Sequence, residues 1–437
     1  MPTSTRTAPS RRLRRAGAVV LAAVSVAALA AACSSSGSGG GGGVQTITFW
    51  SSGQQKVITH LQQTFNASHK DVQIKGQYIS SSDDLAAKEV SAIKSGTEPN
   101  VVIGQDPSTL PLLAESGKVV DLTSALKSET AALYPGIRSA LTYKGQQLGF
   151  ALGGVGDYAL FYNKDDFKAA GISAPPTTWT QLEADAKQLT DPSKDRYGIY
   201  IPLGSSEWIS YDWEGLLASN GGSLLSPDDK SVAFDSTAGV DALTSWVNLV
   251  RKDKAAPMNS YAQAGSYDGA PAFAGNKVAM IVEGQFALEP FRSAKVNFGV
   301  APLPAGTAGK GVTNIGIGVA SVFDHGSSAN TAAETFLQWL GQPAQGAYLT
   351  ASSSGLPSAP NQLSQPAVKK EAAADPTYKV FAAQLKSGTS RPTIPAYASV
   401  SQALSTQIYA ALRGTVTPQQ ALQKAAAAGN KALKGGS

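Results

Sequence analysis

Five residues with chemically useful side chains crowd into one short stretch: Glu207, Trp208, Tyr211, Asp212 and Trp213. Indole and phenol rings stack on the C–H faces of a sugar, and carboxylates beside them accept hydrogen bonds from its hydroxyls, so the composition suits a polyhydroxylated ligand. The same rings would equally form the buried face of a helix, a reading that also applies to Trp246. Trp50 ends the first apolar run, at the place where open α/β sheets bind ligands. A hydrolase would need two acids spaced across a glycosidic bond, and Glu207, Asp212, Glu214 and Glu283 supply candidates whose through-space distance the sequence does not give.

Other catalytic chemistry lacks its residues. The region after the leader has no G-x-S-x-G elbow and no Walker A loop, and Gly316-Ile317-Gly318 lacks the third glycine of a dinucleotide fingerprint. The three histidines, His60, His69 and His325, are scattered and suggest surface or cap roles rather than a zinc site. The expectation is a binding protein, not an enzyme, with no cofactor and no metal.

Cys33 is the only cysteine among 437 residues. Arg6, Arg11, Arg12, Arg14 and Arg15 precede an Ala/Val/Leu run from Ala16 to Ala32, the order of charged and apolar parts in a secretory leader. The run is interrupted by Gly17 and Ser25 and is short for a membrane span. Ala30, Ala31 and Ala32 leading into Cys33 resemble a bacterial lipobox, with Leu29 one position earlier than usual; Cys33 is then the lipid-attachment site. Arg14 and Arg15 favour general export over the twin-arginine route. The segment Ser34 to Gly43 is all Ser and Gly, a flexible tether with a span of roughly 17 Å.

The formal charge is +5, and the five leader arginines account for all of it, so the rest of the chain has no basic excess for nucleic acid. With Cys33 taken, no internal disulfide can form, and stability must come from packing. The length left after the tether suits more than one domain.

Short apolar runs alternate with amphipathic ones. Strands are expected at Thr46 to Trp50, Val72 to Ile74, Pro99 to Gly104, Tyr158 to Tyr162, Tyr197 to Ile201, Val278 to Val282, Asn297 to Ala301 and Ile315 to Val322. Helices are expected at Val57 to Asn66, Leu85 to Lys94, Thr180 to Leu189, Trp208 to Asn220, Ala238 to Arg251, Ala329 to Leu340, Ser399 to Leu412 and Pro418 to Leu433, the last with Thr417 as N-cap and Pro at its first position. This is an α/β chain in at least two lobes.

The order ITFWSSGQQ, PNVVIGQDPSTLPLLAESGKVVDLT, GFALGGVGDYALFYNKDDFKAAGI, PPTTWTQLEADAKQLT, FAGNKVAMIVEGQF, FGVAPLPAG and TPQQALQKA resembles family 1 extracellular solute-binding proteins of ABC importers. The resemblance implies an α/β, two-lobed periplasmic-binding-protein-like fold (type II), each lobe a mainly parallel sheet flanked by helices, with the ligand cleft at the hinge. It implies residues 1–33 as signal peptide, 34–43 as tether, 44–153 with 311–359 as one lobe, and 154–310 with 360–437 as the other. The protein would be an extracytoplasmic, lipid-anchored monomer that closes on a small solute and docks on a membrane permease driven by a separate ATPase.

Carried onto matching positions, the family's ligand residues fall on Trp50, Ser51, Ser52, Gln105, Asp106, Gly153, Gly154, Asp157, Trp208, Glu283, Gly284, Gln285, Phe286, Gly316, Arg391 and Tyr397; Tyr211 and Trp213 join them as the neighbouring rings. Glu283-Gly284-Gln285-Phe286 replaces the family's Gly-Trp pair. Carbohydrate importers fit the aromatic and carboxylate set. Gly355-Leu356-Pro357 and Arg391 are also similar to glycerol-3-phosphate binders, although Gly355 stands where those have an aromatic residue.

Overall fold

The computed structural model describes residues 43–203, 207–258 and 269–435. Cys33, the leader and almost all of the Ser/Gly segment lie outside the described residues. Among the described residues, no helix is long and apolar enough to cross a membrane.

The first sheet grows from helical crossovers. Strand β1 (Gln45–Ser51) pairs parallel with β2 (Val72–Tyr78) and β3 (Val101–Gln105). The helix Gln55–Ser68 between β1 and β2 buries Ile58, Leu61 and Phe65, positions three and four apart that share one face. The helix Ser82–Ser95 between β2 and β3 starts on a Ser81 side chain that accepts from the Asp84 N–H, and stops at Gly96 with φ +70°. Each helix returns the chain to the same end of the sheet, so the three strands run parallel, with β2 and β3 on either side of β1. A small hairpin, β4 (Thr142–Tyr143) with β5 (Gln146–Gln147), precedes β6 (Phe150–Ala151). The finished order is β2-β1-β3-β11-β6, in which β11 (Val319–Val322) is antiparallel to both neighbours.

The second sheet is organised around β7 (Gly156–Asn163), which pairs antiparallel with β8 (Met280–Gly284), β9 (Phe298–Ala301) and β10 (Ile315–Gly316). The first sheet is therefore mixed and the second antiparallel in its strand pairs, where mainly parallel sheets were expected. The strands that break the parallel pattern of the first sheet, β11 and β6, adjoin the segments that cross between the sheets instead of following a helical crossover from a neighbouring strand. Tyr197 to Ile201, expected as a strand, forms no continuous strand: it makes a parallel bridge from Tyr197 to Val278, and Tyr200 donates its N–H to the Met280 carbonyl of β8. Ile315 to Val322, expected as one strand, is two: Gly316 pairs with Gly156 in the second sheet and Val319 begins β11 in the first. The chain crosses between sheets at Ile317 and Gly318.

Leu356 exchanges backbone hydrogen bonds with Val155, bringing a third segment beside the two crossings. A continuous core runs under both sheets, from Phe49, Val101 and Val319 to Phe161, Ile281 and Phe381. A second core unites the far side of β7 with the helices Glu207–Ser219, Thr237–Val247, Tyr397–Leu412 and Pro418–Gly435, around Trp213, Trp246, Leu404 and Ile408.

Candidate functional site

Three groups of side chains surround the crossing segments. The first is charged and aromatic. Asp106 follows β3, Glu207 opens its helix, and Arg391 and Tyr397 come from the loop and first turn before and within Tyr397–Leu412. Arg391 Nε donates to Glu207 Oε1 at 2.6 Å, its Nη1 lies 3.6 Å from Asp106 Oδ2, and Tyr397 donates its hydroxyl to the same Glu207 oxygen at 3.0 Å. The guanidinium carbon sits 4.1 Å from the centre of the Tyr211 ring. Burial opposes the charge on Arg391, and Tyr211, Asp106, Tyr397 and Glu207 more than offset it, so the group stays protonated. Tyr158 is the hub of the rings, edge-on to Trp208 at 5.7 Å, to Tyr211 at 5.5 Å and to Phe286 at 6.4 Å. A cavity of about 240 Å³ opens between Asp106, Glu207, Arg391, Tyr397 and Gln402.

The second group is uncharged. Ser51 at the end of β1, Ser52 and Gln54 after it, Gly104 in β3, Gly153 and Gly154 at the crossing, and Ser352 and Ser353 at the end of the helix Pro343–Ser352 surround a cavity of about 310 Å³ with an apolar floor of Val57, Leu61 and Leu349. Two of these glycines are demanded by packing. A Cβ on Gly153 would lie 2.0 Å from the Gly346 carbonyl oxygen, and Gly154 has φ +90° against Ser353.

The third group ties β8 to the crossing. Gln285 accepts from the Asp157 N–H at 3.1 Å and donates to the Val155 carbonyl at 3.1 Å. Beside it Phe286 is 43% exposed, on a cavity of about 700 Å³ shared with Ser353, Gly355 and Tyr378.

Burial changes the acids around these groups. Glu283, whose carboxylate accepts from the Gly284 N–H, is pushed up to about 8 by burial, and Glu214 likewise, with Arg391 opposing and Glu207 adding to the shift. Burial and then the nearby Glu283 raise Asp212, and burial alone raises Asp157, neither of whose carboxyl oxygens has a partner among the described residues. With values near 8, Glu283 and Glu214 are mostly protonated at neutral pH and can donate hydrogen bonds.

Not every expected residue reaches a cavity. Trp213 is 0% exposed inside the helical core, because the helix turns that position away from Trp208; it is corrected from a ligand platform to a packing residue. Tyr211 is buried, with one ring face taken by Arg391. Trp50 is nearly buried under the Lys88 ammonium, 4.0 Å from its ring. Gln105 is buried and donates to Glu89 rather than into open space. Gly284 pairs with Tyr158 inside the sheet, and Gly316 with Gly156. Tyr158, Ser352 and Ser353 were not anticipated. Tyr158 alternates with Ala159 in a run whose pattern signals only a buried strand, and Ser352 and Ser353 carry no local motif.

The family model for bacterial extracellular solute-binding proteins matches residues 50–347. The chain is 26% identical over 285 residues to a Brucella abortus protein named only as a binding protein, covering 63% of this chain and 66% of that one, so it spans just under two thirds of that curated relative's length. It is 24% identical to the sn-glycerol-3-phosphate-binding periplasmic protein of Shigella flexneri, over 69% of this chain and 71% of that one. Among solved structures, the cyclic alpha-maltosyl-1,6-maltose binding protein of Arthrobacter globiformis superposes with a TM-score of 0.81 at 26% identity, over 90% of this chain and 100% of that one. The GacH receptor of Streptomyces glaucescens, solved unliganded and with acarbose, gives 0.70 at 26% identity over 90% and 99%.

Proposed function

We propose that this chain, which belongs to the family of bacterial extracellular solute-binding proteins, captures a sugar or oligosaccharide between its two lobes outside the cytoplasm and delivers it to an ABC permease. The family is one of binding proteins rather than enzymes. The lobes we assign are residues 44–153 with 311–359 and 154–310 with 360–437, an assignment supported by the two sheets, although residues 315–316 pair with the second. The ligand contacts we assign are Ser51, Ser52, Asp106, Trp208, Phe286 and Tyr397, with Arg391 beside them.

One observation carries the choice of ligand class. Arg391, the cation a phosphate would need, already faces two carboxylates, Asp106 and Glu207. An added phosphate would meet an excess of negative charge, whereas hydroxyls find both acceptors and donors. The Shigella flexneri relative supports glycerol phosphate as a second reading.

Calorimetry on the full chain separates the two. For a neutral sugar, Arg391→Ala should cost about 1–3 kcal/mol, Trp208→Ala should cost more, and salt should matter little to the wild-type affinity compared with the phosphate case. For a phosphate, Arg391→Ala should dominate at about 2–5 kcal/mol, with binding strongly salt-sensitive. Attachment to the membrane through Cys33 rests on the leader sequence; Cys33→Ala should abolish metabolic labelling with fatty acid, and a labelled Cys33→Ala protein would refute the anchor.

A further inference from the structure

Arg391 is held between the two halves of the molecule by its own backbone and by charge. Thr389 donates its N–H to the Thr313 carbonyl at 2.9 Å and accepts from the Ile315 N–H at 2.7 Å, so the segment runs alongside the second crossing. Two residues beyond Arg391, the Thr393 hydroxyl donates to the Ala140 carbonyl at 2.9 Å. From that fixed base the guanidinium reaches Asp106, at the end of a first-sheet strand, and Glu207, at the start of a helix in the second core. The face of Tyr211 sets its plane, and the Tyr397 hydroxyl fixes the Glu207 oxygen that it meets.

We propose that Arg391 is a closure strap, a positioning residue that links the two lobes before any ligand arrives and sets how much of the ligand-free protein is closed. Whichever lobe the Arg391 segment follows during opening, one of its two ion pairs must break, since their carboxylates stand on different lobes. Each arm is partly exposed, with Asp106 at 43% and Glu207 at 46% of side-chain exposure. An ion pair of that kind is worth about a two- to fivefold change in the closed-to-open ratio. It is also accessible to salt, because the screening length falls to about 3 Å at 1 M. A strap of this strength biases the hinge without locking it, and a larger closed population raises apparent affinity in proportion.

The test needs no ligand, so its outcome is independent of whether the solute is a sugar. Small-angle neutron scattering on the full chain, in detergent matched to the solvent, should show a compact wild type at low salt that expands at 1 M. Asp106→Asn should expand the low-salt form, lower the closed-to-open ratio about two- to fivefold, and remove most of the salt response. Arg391→Ala should remove all of it, and Arg391→Lys, which keeps the charge but not the fork, should restore part. A purely structural role for Arg391 would lower the melting temperature of Arg391→Ala and leave the size at each salt unchanged. That result, or a wild type whose radius of gyration does not respond to salt, would overturn the strap.

Discussion

The charged, ring-lined cavity and the serine–glycine cavity are built on opposite terms. The first is crowded with its own interactions: Arg391 fills the face of Tyr211, Glu207 holds both Arg391 and Tyr397, and Trp208 leans on Tyr158. The second is open because side chains are missing, with Gly104, Gly153 and Gly154 making room that hydroxyls border and aliphatic groups floor. A ligand entering the first cavity must exchange contacts with residues already satisfied, which favours selectivity. In the second it displaces mainly solvent, which favours tolerance of size and shape.

The largest effect is expected where the open cavity depends on a missing Cβ. Gly153→Ala would set a methyl group 2.0 Å from the Gly346 carbonyl oxygen and 2.6 Å from Thr350 Oγ1, and the helix backbone cannot retreat without disturbing the crossing. We expect a loss of about 3 kcal/mol in chemical denaturation, while Gly309→Ala, at a glycine with nothing within 4 Å of its Cβ and φ +73°, should cost only about 1 kcal/mol for its backbone conformation. Equal costs at the two positions would mean that the crossing is not tightly packed.

The buried acids make a prediction about pH. Glu283 and Glu214 have folded values near 8 and Glu89, buried beside Gln105, near 7, all above the ordinary 4.5. Below about pH 4.5 these acids are protonated whether folded or unfolded and cost nothing. As pH rises from 4.5 to 8 the unfolded chain releases their protons and the folded one resists, so stability falls across that window. The melting temperature should drop between pH 5 and pH 8, and Glu283→Gln should shallow the drop by removing one of the contributing groups. A wild-type profile that rises through the window would show that the cleft acids are ionised and paired.

Much of the frame was readable in the sequence because its signals are local. The period of Ile58, Leu61 and Phe65 marks a helix, and the run from Tyr158 to Tyr162 marks a strand whatever its neighbours do. What failed was non-local. Nothing in Ile315 to Val322 says that the chain leaves one sheet for the other midway, since both halves are equally apolar. The Glu207–Trp213 cluster pointed to a candidate site, but which rings face it depends on helix phase against a core that the sequence does not draw: Trp208 stays partly exposed and Trp213 is sealed. Arg391 was legible only through family resemblance, and its carboxylate partners are 184 residues and more away in the chain.

The smallest effect should come from the second cavity, and it is the sharpest probe of the comparison. Ser52 borders the open cavity, with its hydroxyl so near Gly104 that a Cβ there would lie 2.9 Å away. If this cavity is the tolerant one, Ser52→Ala removes one hydroxyl contact to a ligand that can keep water or a neighbouring serine as a substitute. The affinity should then fall by only about 0.5–1.5 kcal/mol, with the closed-to-open ratio of the ligand-free protein unchanged, because Ser52 has no part in the Arg391 ion pairs. Calorimetry beside Trp208→Ala reads the contrast directly. A Ser52→Ala loss as large as that of Trp208→Ala would place the main grip on the sugar in the uncharged cavity and reverse the division of labour between the two.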